Sequence, residues 1–440
     1  MKGYKIPVII FVVILMIIGW VNLIVFTISK TETQYKETVT EAEEYFERGL
    51  YQLCAEKYEA ALKLKDTRDV RSKLIDAWSL VFASDKESYG DYQSALLKAV
   101  KMYPTDPDFL VEISDLYFQK NKYSDAFTLL EDAIELGVKD EQVVKKYNEA
   151  KYSFKLTTNT FIDFRPCADS RYLVSNGTLW GIVDEKGYKE IGLEYSFISP
   201  PNSEGWMMYV NETEARLQDK ENVVQGLFSS KLEDAGFCDE ELIAICENGV
   251  YAYYNIRGDK QFGAYQKAGT FTDGKAAVCI NGKWGLVDTK GNLLLEPTYD
   301  DIVLDSQGRY LSKSAILAKS GGQYGLYDSK WNPIQDFRCD QADAITKDGI
   351  FAFSLHGKWG FADTKGNVVI EPTYENARSF SNGLAAVRVN GLWGFIDKEG
   401  TIVIPCQFLD ADYFSEKGSC MVRTKEDSWN LLVLYITKKT

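Results

Sequence analysis

Groups able to do chemistry are sparse in this sequence. Its one histidine, His356, has no second imidazole to work with, which removes most routes to proton transfer near neutral pH and nearly all histidine metal sites. Eight cysteines, at 54, 167, 238, 246, 279, 339, 406 and 420, form no C-x-x-C pair, so neither a zinc site nor a thioredoxin-like motif is suggested. Most lie in apolar runs such as "AAVCI" (276–280), which favours buried free thiols over disulfides. No G-x-S-x-G, H-E-x-x-H or P-loop pattern occurs. The expectation is a protein that is not an enzyme, with no catalytic, cofactor-binding or metal-ligating residues.

Two recurring features invite a sharper reading. The first is Asp-x-x-Gly, at Asp288 to Gly291, Asp363 to Gly366 and Asp397 to Gly400. One carboxylate per copy falls short of the six or more oxygens that calcium takes, whereas Asp accepting from a turn's own amides, with Gly at positive φ, accounts for the spacing. The second is aromatic: 27 Tyr and 9 Trp in 440 residues, too much apolar surface for a disordered chain. Exposed, such rings are sugar platforms; at strand positions they are core, and the core reading is favoured. A net charge of −14 without a Lys/Arg cluster argues against a nucleic-acid partner.

The elements that carry these residues fall into segments. Residues 1–5 form a short basic tail. Residues 6–28, "IPVIIFVVILMIIGWVNLIVFTI", hold no charge and are long enough to cross about 30 Å of hydrocarbon as a helix. They exceed a signal-peptide core, and "FTISK" is a poor cleavage site, so an uncleaved single-pass anchor in the cell membrane is expected. The short tail is easier to leave behind than a large domain, which puts the N-terminus in the cytoplasm and the body outside it. Free thiols stand as an objection to that orientation.

Residues 31–153, rich in Glu, Lys, Ala and Leu, read as helical hairpins. "GLYQLC" (49–54), "GDYQSA" (90–95) and "NKYSDA" (121–126) each open a helix after a turn. Leu110, Ile113, Ser114, Tyr117, Tyr123, Ala126, Leu130 and Ala133 resemble the tetratricopeptide repeat. Helical spacing puts Asp108, Val111, Asp115 and Phe118 on the concave face, a candidate peptide groove. An acidic helix face is more often merely solvated, so a spacer role is favoured.

Residues 154–440 repeat a motif at intervals of 33 to 40. Trp180-Gly181, Trp284-Gly285, Trp359-Gly360 and Trp393-Gly394 align with the variant Tyr324-Gly325 and with Trp429-Asn430, and worn copies sit at Ala215 and Tyr251. The unit "NGLAAVRVNGLWGFIDKEGTIVIP" (382–405) has three apolar runs divided by "NG" and "KEG", the turn chemistry of hairpins. It predicts a three-stranded meander, with a short fourth strand around "YENARSF". Apolar residues at both parities of "LWGFID" require both faces buried. The Trp and Gly positions, with Tyr324, Gly325 and Trp429, are therefore structural core.

This region resembles the WG-repeat proteins of bacteria and eukaryotes, a resemblance that implies an all-β binding domain with no assigned catalysis and no named ligand. The last unit lacks the strand after Trp429, while "FKLTTNTF" (154–161) ends as "IEPTY" ends. Complementary ends predict a closed β-propeller-like ring of about eight units, in preference to an open β-solenoid. The expected function is a membrane-anchored interaction scaffold for a protein or peptide; the alternative is an extracytoplasmic glycan or cell-wall binder.

Overall fold

The computed structural model describes residues 5–437 apart from 168 and 203; the expected basic tail lies outside them but for Lys5. The chain divides into two compact units, Met1–Lys151 and Tyr152–Thr440.

Among the described residues the first unit holds seven α-helices. The apolar segment and the first helix of the array are one helix of 43 residues, α1 (Lys5–Glu47). "ISKTETQYK" (28–36) offers neither glycine nor proline to stop it. The boundary expected at 28–31 is thus a change of surroundings within a continuous backbone: Ile28 is 63% exposed, while Thr31 and Glu32 are already partly covered. Then come α2 (Tyr51–Leu64), α3 (Arg68–Ser84), α4 (Tyr89–Met102), α5 (Pro107–Phe118), α6 (Tyr123–Glu135) and α7 (Glu141–Lys151), each packed on its neighbours. The three tyrosine patterns do lie at helix starts, with one difference. Gly90 is inside α4, and the turn is a single 3-10 turn, Lys86–Ser88, where the Asp85 carboxylate accepts from the Glu87 amide at 2.9 Å. Ala42, Ala55, Ala61, Ala99 and Ala126 are fully enclosed, which lets the helices approach closely.

In the second unit the described residues form eight four-stranded antiparallel sheets. The meander of three strands is present, and the short fourth strand makes the units four-stranded where the ring was expected to be built of three-stranded ones. In seven of the sheets the added strand is two residues long, too short to leave a hydrophobic period. Asn376–Ala377, inside "YENARSF", is such a strand; it pairs forward with Ala385–Val389 and so opens the next sheet. The eighth sheet contains Asp410–Ala411, Ser419–Lys425 and Ser428–Leu434, and its fourth strand is Phe154–Phe161. Phe161 lies opposite Trp429 and Phe154 opposite Leu434. The ring is closed: this is an eight-bladed β-propeller, and the open solenoid is set aside.

The core is divided among the junctions between blades. Phe361, Phe380, Val387 and Ile396 fill the gap between the sixth and seventh sheets. Tyr172, Val174, Trp429 and Leu431 fill that between the eighth and first. Each sheet therefore packs on both faces, the cause of the two-parity apolar pattern.

Candidate functional site

The Trp-Gly pair sits at the start of the third strand of a blade. Trp359 faces Ser354 on one side and Tyr374 on the other. The glycine beside it is required by its neighbour in the same sheet: a Cβ on Gly360 would stand 2.6 Å from the Ile370 carbonyl oxygen, and one on Gly394 2.6 Å from that of Ile404. The register of the outer strand shifts at this point, which brings its backbone inward. Gly181 and Gly285 also meet outer-strand backbone, whereas Gly325 meets only side-chain atoms of Arg338 and Tyr327.

Trp284, Trp393 and Trp429 are buried, and Trp180 and Trp359 half-buried. Guanidinium groups cover three of the rings: Arg165 over Trp180 at 5.3 Å, Arg378 over Trp393 at 5.5 Å and Arg423 over Trp429 at 4.6 Å. Where tyrosine replaces tryptophan the ring gains a tether. Tyr251 donates to Asp234 at 2.8 Å and Tyr324 to Asp301 at 2.6 Å, in each case the first residue of that blade's innermost strand. Burial pushes both phenols up. Beside Ala215, the most worn copy, Trp206 and Phe228 pack in the same cluster.

The recurring carboxylates serve turns. Asp288 accepts from the amides of Lys290 (2.9 Å) and Asn292 (2.8 Å), and Gly291 has φ +84°. Asp328 and Asp363 repeat the arrangement, and the hydrogen bond from the Asn292 side chain, with those from the amides, holds Asp288 below the usual carboxylate range. His356 is also a turn residue. Its amide donates to Asp340 at 2.7 Å, and its φ of +52° matches Asn281 and Asn390 at the same place in other blades. Asp340 belongs to a set that includes Gln266 and Glu375, residues just before an innermost strand that cap the hairpin turn of their own blade.

The innermost strands surround the ring centre, where side chains reach past a neighbouring blade. Arg165 of the first blade meets Asp234 of the third at 3.3 Å. Tyr413 of the eighth donates to Asp343 of the sixth at 2.6 Å. Beside them opens a cavity of about 680 Å³ formed largely by the loops that follow the innermost strands, residues 303–314, 343–348, 381–382 and 413–416. Buried Ile345 and Phe414 give it an apolar depth, and exposed Lys313, Lys347 and Glu416 stand at its lip.

One wall is cross-linked between blades: Ser381 donates to the Phe414 carbonyl at 2.7 Å, Asn382 to that of Ser415 at 3.0 Å, and the Gly383 amide to Asp348 at 2.9 Å. The other wall is loop 303–314. Asp305 folds it by accepting from the Gln307 and Arg309 amides at 2.8 and 2.9 Å, and Arg309 ties it to Asp239 at 3.1 Å. Behind the cavity Asp412 is buried, and desolvation, opposed by Arg378, pushes its carboxyl up to about 6.

The helical face expected to grip a peptide is partly occupied. Asp108 pairs with Arg68, and Val111 packs half-buried against the helical core. Lys146 of α7 meets Asp115 at 2.5 Å and lies 5.2 Å from the centre of the Phe118 ring. Between them Glu112 accepts from Tyr92 at 2.5 Å, its carboxyl raised by burial.

The family model described as WG containing repeat matches residues 263–284, 284–311, 359–393 and 393–428. The propeller thus carries WG repeats over residues 263–311 and 359–428. No curated protein sequence matches the chain. Among solved structures the chain is similar to the Dos1 propeller (13% identity, TM-score 0.40, 66% of this chain and 97% of that one). It is also similar to the dihydro-heme d1 dehydrogenase NirN in complex with DHE (10%, TM-score 0.38, 59% and 67%). A third likeness is to the TPR domain of P58(IPK) (21%, TM-score 0.20, 28% and 34%).

Sequence reasoning missed the cavity because one wall, loop 303–314, has no counterpart in spacing among the other blades, and the other walls are distant in sequence and meet only in the closed ring. It also missed the ring centre. A signal was present, in the polar residues that follow each outer strand in "YDDIV", "YENAR" and "LDADY".

Proposed function

We propose that the chain is a membrane-anchored, non-enzymatic interaction protein whose WG-repeat propeller binds a protein or peptide through the central cavity. The segments are an anchor at 6–28, a tetratricopeptide-like spacer at 31–153 and the propeller at 154–440. One observation carries this reading. The repeated residues named above are engaged in holding the fold, Trp393 in the core, Asp288 in a turn and His356 in another, whereas the one irregular loop, 303–314, and the inner loops of the last three blades converge on one preformed cavity. Binding sites concentrate on such loops over a rigid scaffold.

The anchor rests on α1, whose apolar part is long enough to cross a membrane and leaves rings such as Trp20 and Phe26 uncovered by the rest of the chain. A body outside the cytoplasm accords with the thiols. All eight cysteines are unpaired and seven are buried, and burial pushes Cys238 and Cys339 up to about 12. Thiols so protected need no reducing compartment. A glycan platform is less favoured: Trp331, a loop ring, is half-buried among Tyr299, Tyr310 and Tyr327.

The test is photocrosslinking of the full chain in its native membrane, with the crosslinking side chain placed at Lys313, Lys347 or Lys358. The first two border the cavity, and Lys358 lies just beyond the far end of the strand Ile350–Leu355. One partner captured from 313 and 347 and not from 358 is expected. Equal capture from all three positions, or capture from 358 alone, refutes the cavity as the binding site.

A further inference from the structure

The continuity of α1 fixes the height of the helical array above the bilayer. Residues with apolar side chains run to Ile28, and packing against the array begins at Thr31 and Glu32. No linker intervenes. The turn between α2 and α3 is tied to this part of α1 by two contacts: Lys65 pairs with Glu32 at 2.9 Å, and the hydroxyls of Tyr35 and Thr67 lie 3.0 Å apart. Glu32 and Tyr35 stand four and seven residues past Ile28, or about 6–10 Å at the helical rise of about 1.5 Å per residue. The polar layer on each side of the hydrocarbon is about 5–8 Å thick. A turn hydrogen-bonded to residues at that height lies within or against that layer.

The side chains at this end suit such a place. Lys30 and Lys63 are exposed and carry no ion pair among the described residues. Lys65 and Arg68 are exposed beside them, Lys65 paired with Glu32 and Arg68 with Asp106 and Asp108, which leaves Lys30 and Lys63 as the cations free to meet phosphates. α2 runs back toward the bilayer and ends at Leu64, so its last turn, with Lys63, adds a cation where the C-terminal carbonyls of the helix also point. Long basic side chains at a membrane edge place their ammonium groups among phosphates while their stems lie on apolar surface.

We propose that the α2–α3 turn, residues 65–67, together with Lys30 and Lys63, docks on the phosphates of the phospholipid headgroups. The array is then a rigid outgrowth of the anchor seated on the lipid surface. This rests on the reading of α1 as a membrane span, and the experiment separates the two.

The full chain is reconstituted into phosphatidylcholine vesicles containing a lipid spin-labelled at its headgroup. An environment-sensitive fluorophore is attached at Lys63→Cys or, in a second variant, at Gln52→Cys. Both positions are exposed on α2, about 16 Å apart along one helix, and the native cysteines are mostly buried. Resistance to alkaline extraction reports integration, and loss of the protein to the wash overturns the membrane reading itself. With the protein integrated, quenching at 63 several-fold stronger than at 52 is expected. Equal quenching at both positions means that α2 lies flat on the surface, and no quenching at 63 means that the array stands clear of the headgroups; either overturns the proposal. In Lys30→Gln/Lys63→Gln, labelled at Asp69→Cys, an exposed position in the first turn of α3, quenching below that of the same label on the parent is expected, and unchanged quenching overturns the role of the two cations.

Discussion

Replacing Gly360 by alanine isolates the reason for the glycine in the repeat. The backbone at Gly360 is not in the left-handed region, so the substitution carries no conformational penalty, and in open space alanine would gain about 0.5–1 kcal/mol over glycine in a strand. The new methyl meets the Ile370 carbonyl oxygen and the Pro372 nitrogen at 2.6 Å. Both are backbone atoms, so relief requires the outer strand Val368–Tyr374 to move by about 1 Å to regain ordinary van der Waals separation. Overpacking of this kind costs about 1–3 kcal/mol, and a weakened ladder hydrogen bond adds about 1 kcal/mol. With the alanine gain set against these costs the expected loss is about 2 kcal/mol, read from the urea midpoint by tryptophan fluorescence at unchanged slope. Gly394→Ala should match it. Gly325→Ala is the internal control, since its methyl meets only the movable ends of Arg338 and Tyr327, and it should be neutral or mildly stabilising. Equal effects at 325 and 360 refute the outer-strand explanation.

Removing residues 154–161 from the full chain should strip hydrogen-exchange protection from Ser428–Leu434; retained protection there contradicts the closure. Asp412 is raised in the folded state, so its ionisation opposes folding: its contribution is intact below the unfolded value near 3.8 and is lost as pH rises toward about 6. Asp412→Asn should therefore gain on the parent by about 2–3 kcal/mol across that window, and a difference independent of pH counts against it. Asp288 and Asp328, held low, act with opposite sign, their contribution vanishing as pH falls through their folded values. Iodoacetamide at pH 8 should leave the seven buried cysteines unmodified until denaturant is added, with the half-buried Cys406 reacting first; rapid labelling of Cys339 in the folded protein refutes their protection. External protease on intact cells should digest the body, and full protection places it in the cytoplasm.

Ring closure was legible because the two ends of the repeat region carried complementary halves of one motif, "FKLTTNTF" and the strand of Trp429. Which unit the short fourth strand joins was not, since a two-residue strand such as Asn376–Ala377 has no period to detect and takes its partner from the following unit. The boundary at 28–31 was read from a change in composition, and the helix runs through it because composition sets the surroundings of a helix while only capping and turn residues end it. Of the residues around the cavity, Tyr413 and Asp343 are 70 positions apart. No local pattern relates them, and only the curvature of the closed ring brings them together.

The strand Phe154–Phe161 is the first of the propeller to leave the ribosome, and its partner Ser428–Leu434 is the last. Seven blades can pair from contiguous sequence as they emerge, but the eighth waits until residues 428–434 have been made. Until then the growing chain carries two unmatched edges, each able to capture another strand. A chain interrupted anywhere before residue 434 keeps those edges open, so the junction makes the masking of both edges depend on synthesis of the whole ring.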